Sequence, residues 1–499
     1  MNRTKIKIMV LILLLGTTAI VFMKGFMSKS DRSVEVLNTS LRTIDKFPDP
    51  AEIDKAGKWY FLNHVSSTLI EYDHKNSSFL PLIAKNWDIV GSKYTITLDP
   101  DSKFSDGTPI KARDVVASIK RILAKKTSLH FPLWKHIADC DNLKTLEDPC
   151  DGIKGDDTKG TIEVALKTKS ESFLLQISSP EGGIWSADDI DPKTLALVPT
   201  RFSGPYSLDN LVIDANRDLV LTRNPYSKIQ ARFPDSPRKI HVKSMGRKEV
   251  EDSVVAGKTD IFIGDFIPCN EYDWEKLDVG VHYTLPSSII YFFNLNSKKK
   301  IGRDLFTILE KVPDERLTFA ETLLPVAPSI ALTRDEMNSL LPEKTSQRLV
   351  VAAPGFYYKD KFLEFVVQAA KRVGVDLEIH KVDPPEYSEL IESGDDYKSK
   401  YDFVLGNYVA SERYPAVQLR FLAGRRTQGV DLMGVEAPDQ DPEKIGRLKD
   451  YEKWLLSSQT VIPFYFTRTH IVYSKKFDIG EQPVTDTEIQ LWRVTNKVP

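Results

Sequence analysis

Residues 93–124 read KYTITLDPDSKFSDGTPIKARDVVASIKRILA, and three signals follow one another there. Tyr94, Ile96 and Leu98 alternate with Thr95 and Thr97, the period of a strand with one buried face. Ser105-Asp106-Gly107-Thr108-Pro109 is a turn. Asp bonds its own backbone, Gly admits positive φ and Pro stops a ladder. Val115, Val116, Ile119, Ile122 and Leu123 then make one apolar stripe on a helix, with Arg113, Lys120 and Arg121 off it. The stretch predicts a strand–turn–helix packing unit.

The order of residues from Phe104 to Ser118, F-x-D-G-T-P-x-x-A-x-D-V-V-x-S, resembles the signature of the family 5 extracellular solute-binding proteins. These are the oligopeptide-, dipeptide- and nickel-binding receptors of ABC transporters. Upstream, Pro81 to Trp87 (PLIAKNW) is similar to that family's P-x-L-A-x-x-W. Lys111 departs from the usual Thr or Ser. The loss of a helix N-cap hydroxyl costs about 1 kcal/mol and bears on local stability, not on function. Elsewhere Ser203-Gly204-Pro205-Tyr206, Leu219 to Tyr226, Asn63 to Asp73 and Tyr291 to Asn296 resemble weaker family stretches. The first strand, read at Val34 to Leu37, is followed by an imperfect match to the family's L-D-P. The resemblance implies an α/β, two-lobed periplasmic-binding-protein-like fold with a hinge, an inter-lobe cleft and an extra subdomain in the first lobe.

At 499 residues the chain exceeds one core, and two to three domains are expected. Its 68 Lys and Arg against 70 Asp and Glu leave no polyelectrolyte character and no basic stripe for nucleic acid. Arg3, Lys5 and Lys7 precede an apolar run from Ile8 to Met23. As a helix that run spans about 24 Å, short of the ~30 Å hydrocarbon core, and it reads as a signal-peptide core. No A-x-A site follows cleanly and no Cys offers a lipid attachment point. Residues 1–28 are therefore expected to be a signal peptide, or a signal anchor held through residues 8–23, of an exported periplasmic or cell-surface protein. Cys140 and Cys150 close a short loop and are candidates for a disulfide, which leaves Cys269 free.

The expected organisation places a first lobe at 29–264, with a subdomain inserted at about 71–180, and a second lobe at 265–464. Residues 465–499 return to the first lobe, so the chain is expected to cross between lobes near 265 and 465. Asp151 to Lys159 reads as loop by composition. In the second lobe Leu349 to Ala353 is a doubly covered strand. Phe362, Phe365, Val366, Ala369 and Val373 form a helix closed by Gly374, and Val375, Leu377 and Ile379 the next strand, a βαβ unit.

No G-x-S-x-G, H-E-x-x-H, Walker A or dinucleotide fingerprint is present. The eight His are scattered without an i, i+4 pair, so neither a metal site nor a cofactor is expected. In peptide receptors of the resembled family, an Asp in a W-x-A-D-Y-like stretch pairs with the ligand's amino group. The matching stretch here is Asn407 to Pro415, with Ser411 at the Asp position and Glu412 beside it. A hydroxyl cannot neutralise a buried ammonium. Either Glu412 turns in, or the ligand is not an ordinary free-amino peptide. Tyr291, Asn294, Tyr408, Ser411 and Glu412 are the candidate ligand-binding residues, with lobe core as the competing role for Tyr408. The resemblance implies a monomeric receptor without catalysis, which binds a small peptide or similar solute and delivers it to an ABC permease in the cytoplasmic membrane. The alternatives are a membrane-tethered sensor on the same scaffold and a two-lobed hydrolase.

Overall fold

A computed structural model of the chain describes residues 32–497, apart from 42–46, 53–55, 74–75, 77, 127–133, 135, 170–171, 210–217, 265–271, 285–287, 312–316, 321, 325–330, 356, 393–399, 410–418, 420–421, 423–441 and 483–488. Two large sheets organise the chain. The first runs in the order Gly280–Tyr283, His470–Tyr473, Ile261–Gly264, Val36–Leu41, Lys239–Ser244, Asp218–Arg223, Tyr206–Leu208. Its central strand is parallel to both neighbours. The second runs Thr318–Phe319, Val461–Thr467, Ser288–Asn294, Phe403–Val409, Arg348–Pro354, Asp376–Val382. The last two strands are parallel and flank the helix Asp360–Arg372 in sequence, as the βαβ pattern requires. Each sheet carries its own apolar core, so the fold is two-lobed α/β.

Among the described residues, a two-stranded ribbon joins the lobes. Gly280–Tyr283 pairs antiparallel with His470–Tyr473 in the first sheet, and the same two chain segments continue as Ser288–Asn294 and Val461–Thr467 in the second. One crossing therefore lies between Tyr283 and Ser288 in sequence, further along than 265, and the return lies between Thr467 and His470, a few residues from 465. A strand that leaves one sheet and enters the next carries no turn residue to announce the change. Val461–Thr467 is buried throughout, which hid the boundary further. Its Pro463 has no N–H for the ladder, and the register shifts beside it, opposite Ile290 and Tyr291. At the crossing the N–H of Thr284 donates to the carbonyl of Thr469 at 3.1 Å.

The signature stretch forms a third sheet, in the order Ala84–Val90, Lys93–Leu98, Thr161–Ala165, Ile153–Asp156, against the helix Ala112–Lys125. Ile153–Asp156 corrects the loop expected at 151–159. One apolar residue is too few to mark a strand, yet Gly155 lets the helix approach: a Cβ there would meet Ala112 and Val116 at 3.0–3.2 Å. The signature residues tie this sheet to the first lobe. Asp114 accepts from the N–H groups of Lys111 and Ala187 at 2.8 and 2.9 Å, so the helix start is held although Lys111 caps nothing. Ser118 accepts from the N–H of Trp185 at 2.9 Å. Ser105 and Phe202 exchange hydrogen bonds, and Asn224 Nδ2 donates to the Gly204 carbonyl at 2.8 Å. At Gly204 a Cβ would stand 2.4 Å from the Val65 backbone, so only glycine fits.

Arg121 also differs from expectation. It lies off the apolar stripe yet is 2% exposed, because Asp49 meets its guanidinium bidentately at 2.5 and 2.7 Å. Lys125 lies 3.1 Å from the same carboxylate. Burial alone would raise the Asp49 pKa, but the Arg121 hydrogen bond and charge outweigh it and hold the carboxyl below its usual range. Its contribution is therefore complete above the unfolded carboxylate range, about pH 4, and is lost as pH falls through the lower folded value. Asp49→Asn should cost about 3 kcal/mol at pH 7 in urea unfolding, and its gap to the wild-type protein should narrow as the pH is lowered below about 4. Cys140 and Cys150 form a disulfide within the third sheet's core. Replacing both by Ala should cost about 2–3 kcal/mol by the same measurement, the loop-closure value for so short a ring.

Candidate functional site

In α/β sheets, ligands sit outside the carboxyl ends of parallel strands. In the first lobe those ends belong to Val36–Leu41, Lys239–Ser244 and Ile261–Gly264, and in the second to Arg348–Pro354, Asp376–Val382 and Phe403–Val409. The two sets meet across the ribbon. Arg247 stands three residues beyond Ser244, and Tyr357 three beyond Pro354. The Arg247 Nη1 donates to the Tyr357 carbonyl at 3.2 Å, and the guanidinium carbon lies 5.6 Å from the Tyr357 ring centroid. This contact marks the edge of each lobe that lines the cleft.

Behind Tyr357 the second lobe presents a wall of phenols. Tyr357 meets Tyr387 edge to face at 6.1 Å. Burial pushes the Tyr291 phenol up, and the neighbouring Tyr408 and Tyr357 add to it. Tyr387 is raised by the same cause, with Tyr291 and Tyr357 beside it. All four phenols thus belong to one cluster, and Tyr291 and Tyr387 stay neutral at physiological pH. Tyr291 and Gly406 face each other across adjacent strands. A Cβ at Gly406 would stand 2.6–2.9 Å from the Tyr291 ring and hydroxyl. The Tyr358 hydroxyl donates to the Gly406 carbonyl at 2.9 Å, which fixes the loop after Pro354. Phenols held protonated can stack and hydrogen-bond, but they supply no base near neutrality.

Of the residues expected at the ligand, Tyr291 and Tyr408 come together in this cluster. Tyr408 pairs with Ile289, close to the hinge, and is half-buried. Asn294 does not join them. It pairs with Phe403 at the far end of the same sheet, 1% exposed. Its Oδ1 accepts from the Asn296 N–H at 2.7 Å and its Nδ2 donates to the Lys299 carbonyl at 3.2 Å. That carboxamide closes a turn, apart from the phenol cluster. Ser411 and Glu412 lie outside the described residues, as do Cys269 and residues 1–28. Arg247, Tyr357 and Tyr387 escaped the sequence reading. Their signal was faint: a cation opening a helix, and aromatic residues just beyond a strand.

A small pocket lies elsewhere, inside the first lobe, lined by Thr39, Ser40, Phe61, His64 and Leu491 among others. His64 there accepts from the Leu491 N–H at 3.2 Å and packs on Trp492, so its ring serves the core of that lobe. Among the described residues no group of three or more His, Cys, Asp or Glu could hold a metal ion, and no helix is long and apolar enough to cross a membrane.

Comparison with known proteins agrees with this architecture. The family model described as bacterial extracellular solute-binding proteins, family 5, middle region, matches residues 78–309. The periplasmic oligopeptide-binding protein OppA of Escherichia coli K12 is 28% identical over 159 residues, a stretch spanning 29% of this chain and only 28% of that relative. Among solved structures, NikA from Brucella suis in complex with Fe(III)-EDTA superposes with a TM-score of 0.68 at 17% identity, over 93% of this chain and 100% of that one. A periplasmic oligopeptide-binding protein from Borrelia burgdorferi gives 0.68 at 16% identity, with 93% and 100% covered. Identities so low establish the two-lobed fold alone.

The Tyr291–Gly406 contact can be tested directly. Gly406→Ala should destabilise the protein by about 1–3 kcal/mol in urea unfolding through overpacking. Adding Tyr291→Leu should restore part of that loss, because the colliding ring is gone.

Proposed function

We propose that the chain is a family 5 bacterial extracellular solute-binding protein, the family whose model matches residues 78–309, and an exported receptor that encloses a small peptide or similar solute between its lobes. It hands that solute, unaltered, to an ABC permease in the cytoplasmic membrane. The observation that carries the proposal is the pair of strand-end edges facing each other across one ribbon, with Arg247 reaching Tyr357. An extended peptide in such a groove is held by main-chain hydrogen bonds, which tolerate varied side chains. The half-buried Tyr357, Tyr387 and Tyr408 offer aromatic faces for those side chains, with the buried Tyr291 behind them. Ser411 and Glu412 follow Tyr408 in sequence, and in this reading Glu412 meets the ligand's amino end.

The receptor works as a monomer and needs neither cofactor nor nucleic acid. The Cys140–Cys150 disulfide suits an oxidising compartment outside the cytoplasm. Residues 8–23 direct the export, and where they are retained they anchor the protein in the membrane.

Mass spectrometry of cargo that co-purifies with the protein, followed by scattering and thermal melts with pooled synthetic peptides, tests this reading. A bound peptide should shrink the radius of gyration and raise the melting temperature. At a hundredfold excess over Kd the added stability should be about 2.7 kcal/mol. Tyr408→Ala should weaken that binding about tenfold, as loss of a buried aromatic contact does. If no peptide pool and no nickel chelate shifts either quantity, the receptor reading fails.

A further inference from the structure

Arg247 holds the first position of the helix Arg247–Val255, and Lys248 follows it. The amino end of a helix carries the positive pole of its dipole, so cations are disfavoured there. The adjoining Gly246 and Glu249 follow the ordinary rule, with the Glu249 carboxylate accepting from the Gly246 N–H at 3.4 Å. Arg247 therefore contradicts its local setting, and such contradictions point to a role elsewhere. That role lies across the cleft. Its Nη1 meets the Tyr357 carbonyl at 3.2 Å, and its plane approaches the Tyr357 ring at 5.6 Å.

The seat is stiff. The Tyr357 N–H donates to the Pro354 carbonyl at 2.9 Å, Tyr358 is tied to Gly406, and Tyr358 stacks on Phe362 at 5.4 Å. A planar guanidinium can donate to the carbonyl and lie against the ring together, which an ammonium cannot.

We propose that Arg247 and Tyr357 form a clasp that holds the two lobes near closure before cargo arrives. This inference rests on the receptor reading of the cleft. Arg247 is then a positioning residue: it raises the fraction of molecules already competent to bind, and the apparent Kd falls in proportion to that fraction.

The clasp is read without any ligand. Spin labels at Lys258→Cys in the first lobe and Lys371→Cys in the second, both exposed, in a Cys269→Ser background, report the inter-lobe distance. Arg247→Ala should lengthen and broaden that distance distribution, and raise the radius of gyration. Tyr357→Ala should do the same, and the double variant should go no further than either single one, as expected of one shared contact. Arg247→Lys should fall between the wild-type protein and Arg247→Ala. Circular dichroism melts of each variant separate an opened protein from an unfolded one. A ligand-free distribution in Arg247→Ala identical to that of the wild-type protein would overturn the clasp. The receptor reading stands or falls separately: if the distances respond but no peptide binds, the clasp holds and the receptor does not. With a tetrapeptide pool that binds, Arg247→Ala should weaken the apparent affinity by the factor in which the near-closed population falls.

Discussion

Backbone amides removed from water must be paired, and this requirement governs how two sheets can share one chain. A lone linker between the lobes would leave unpaired groups at the point where it is most enclosed. Here two strands cross side by side and pair with each other on both sides of the boundary, with Thr284 on Thr469 between. The ladder is almost continuous from one lobe into the other. Almost, because the segment from Tyr283 to Ser288 is two residues longer than the one from Thr467 to His470. The two connections are thus unequal in length, and a further register shift lies inside the second lobe beside Pro463, opposite Ile290 and Tyr291.

The third sheet follows the same logic by other means. It is an insertion, so its attachment to the first lobe rests on side chains rather than on a shared ladder. Asp114, Ser118 and Ser105 each satisfy backbone groups of a first-lobe segment. Such bonds stabilise modestly when made and cost much more when one partner is removed. The buried Arg121–Asp49 pair adds a charged tie of the same kind. The stretch with the strongest family likeness thus ties this sheet to the first lobe.

That distinction explains what the sequence disclosed. The strand, turn and helix at 93–125 and the βαβ unit at 348–382 were legible because periodicity and turn chemistry are local, whereas the two-lobed plan came from the family resemblance. The hinge was not, since a strand changing sheets alters nothing in its own composition. Arg121 was misplaced because its partner, Asp49, lies more than seventy residues away. Asn294 sits apart from the phenols because a polar residue at the end of an apolar strand suits a turn as well as a ligand. Arg247 and Tyr357 were invisible because each gains meaning only from the other lobe. Sites built between two bodies are written in pairs of distant positions, and a single sequence does not show which positions are paired.

The fit of Tyr291 over Gly406 has a consequence for how such a cleft diversifies. A larger residue at 406 collides while the ring is present, and a smaller residue at 291 leaves a hole while the glycine remains. Each replacement alone is a step downhill in fitness, whichever comes first. A descendant lineage with a differently shaped wall here must acquire both changes together or pass through a compromised ancestor. These two positions are therefore expected to drift as a couple among relatives, while the exposed loops around them vary one residue at a time.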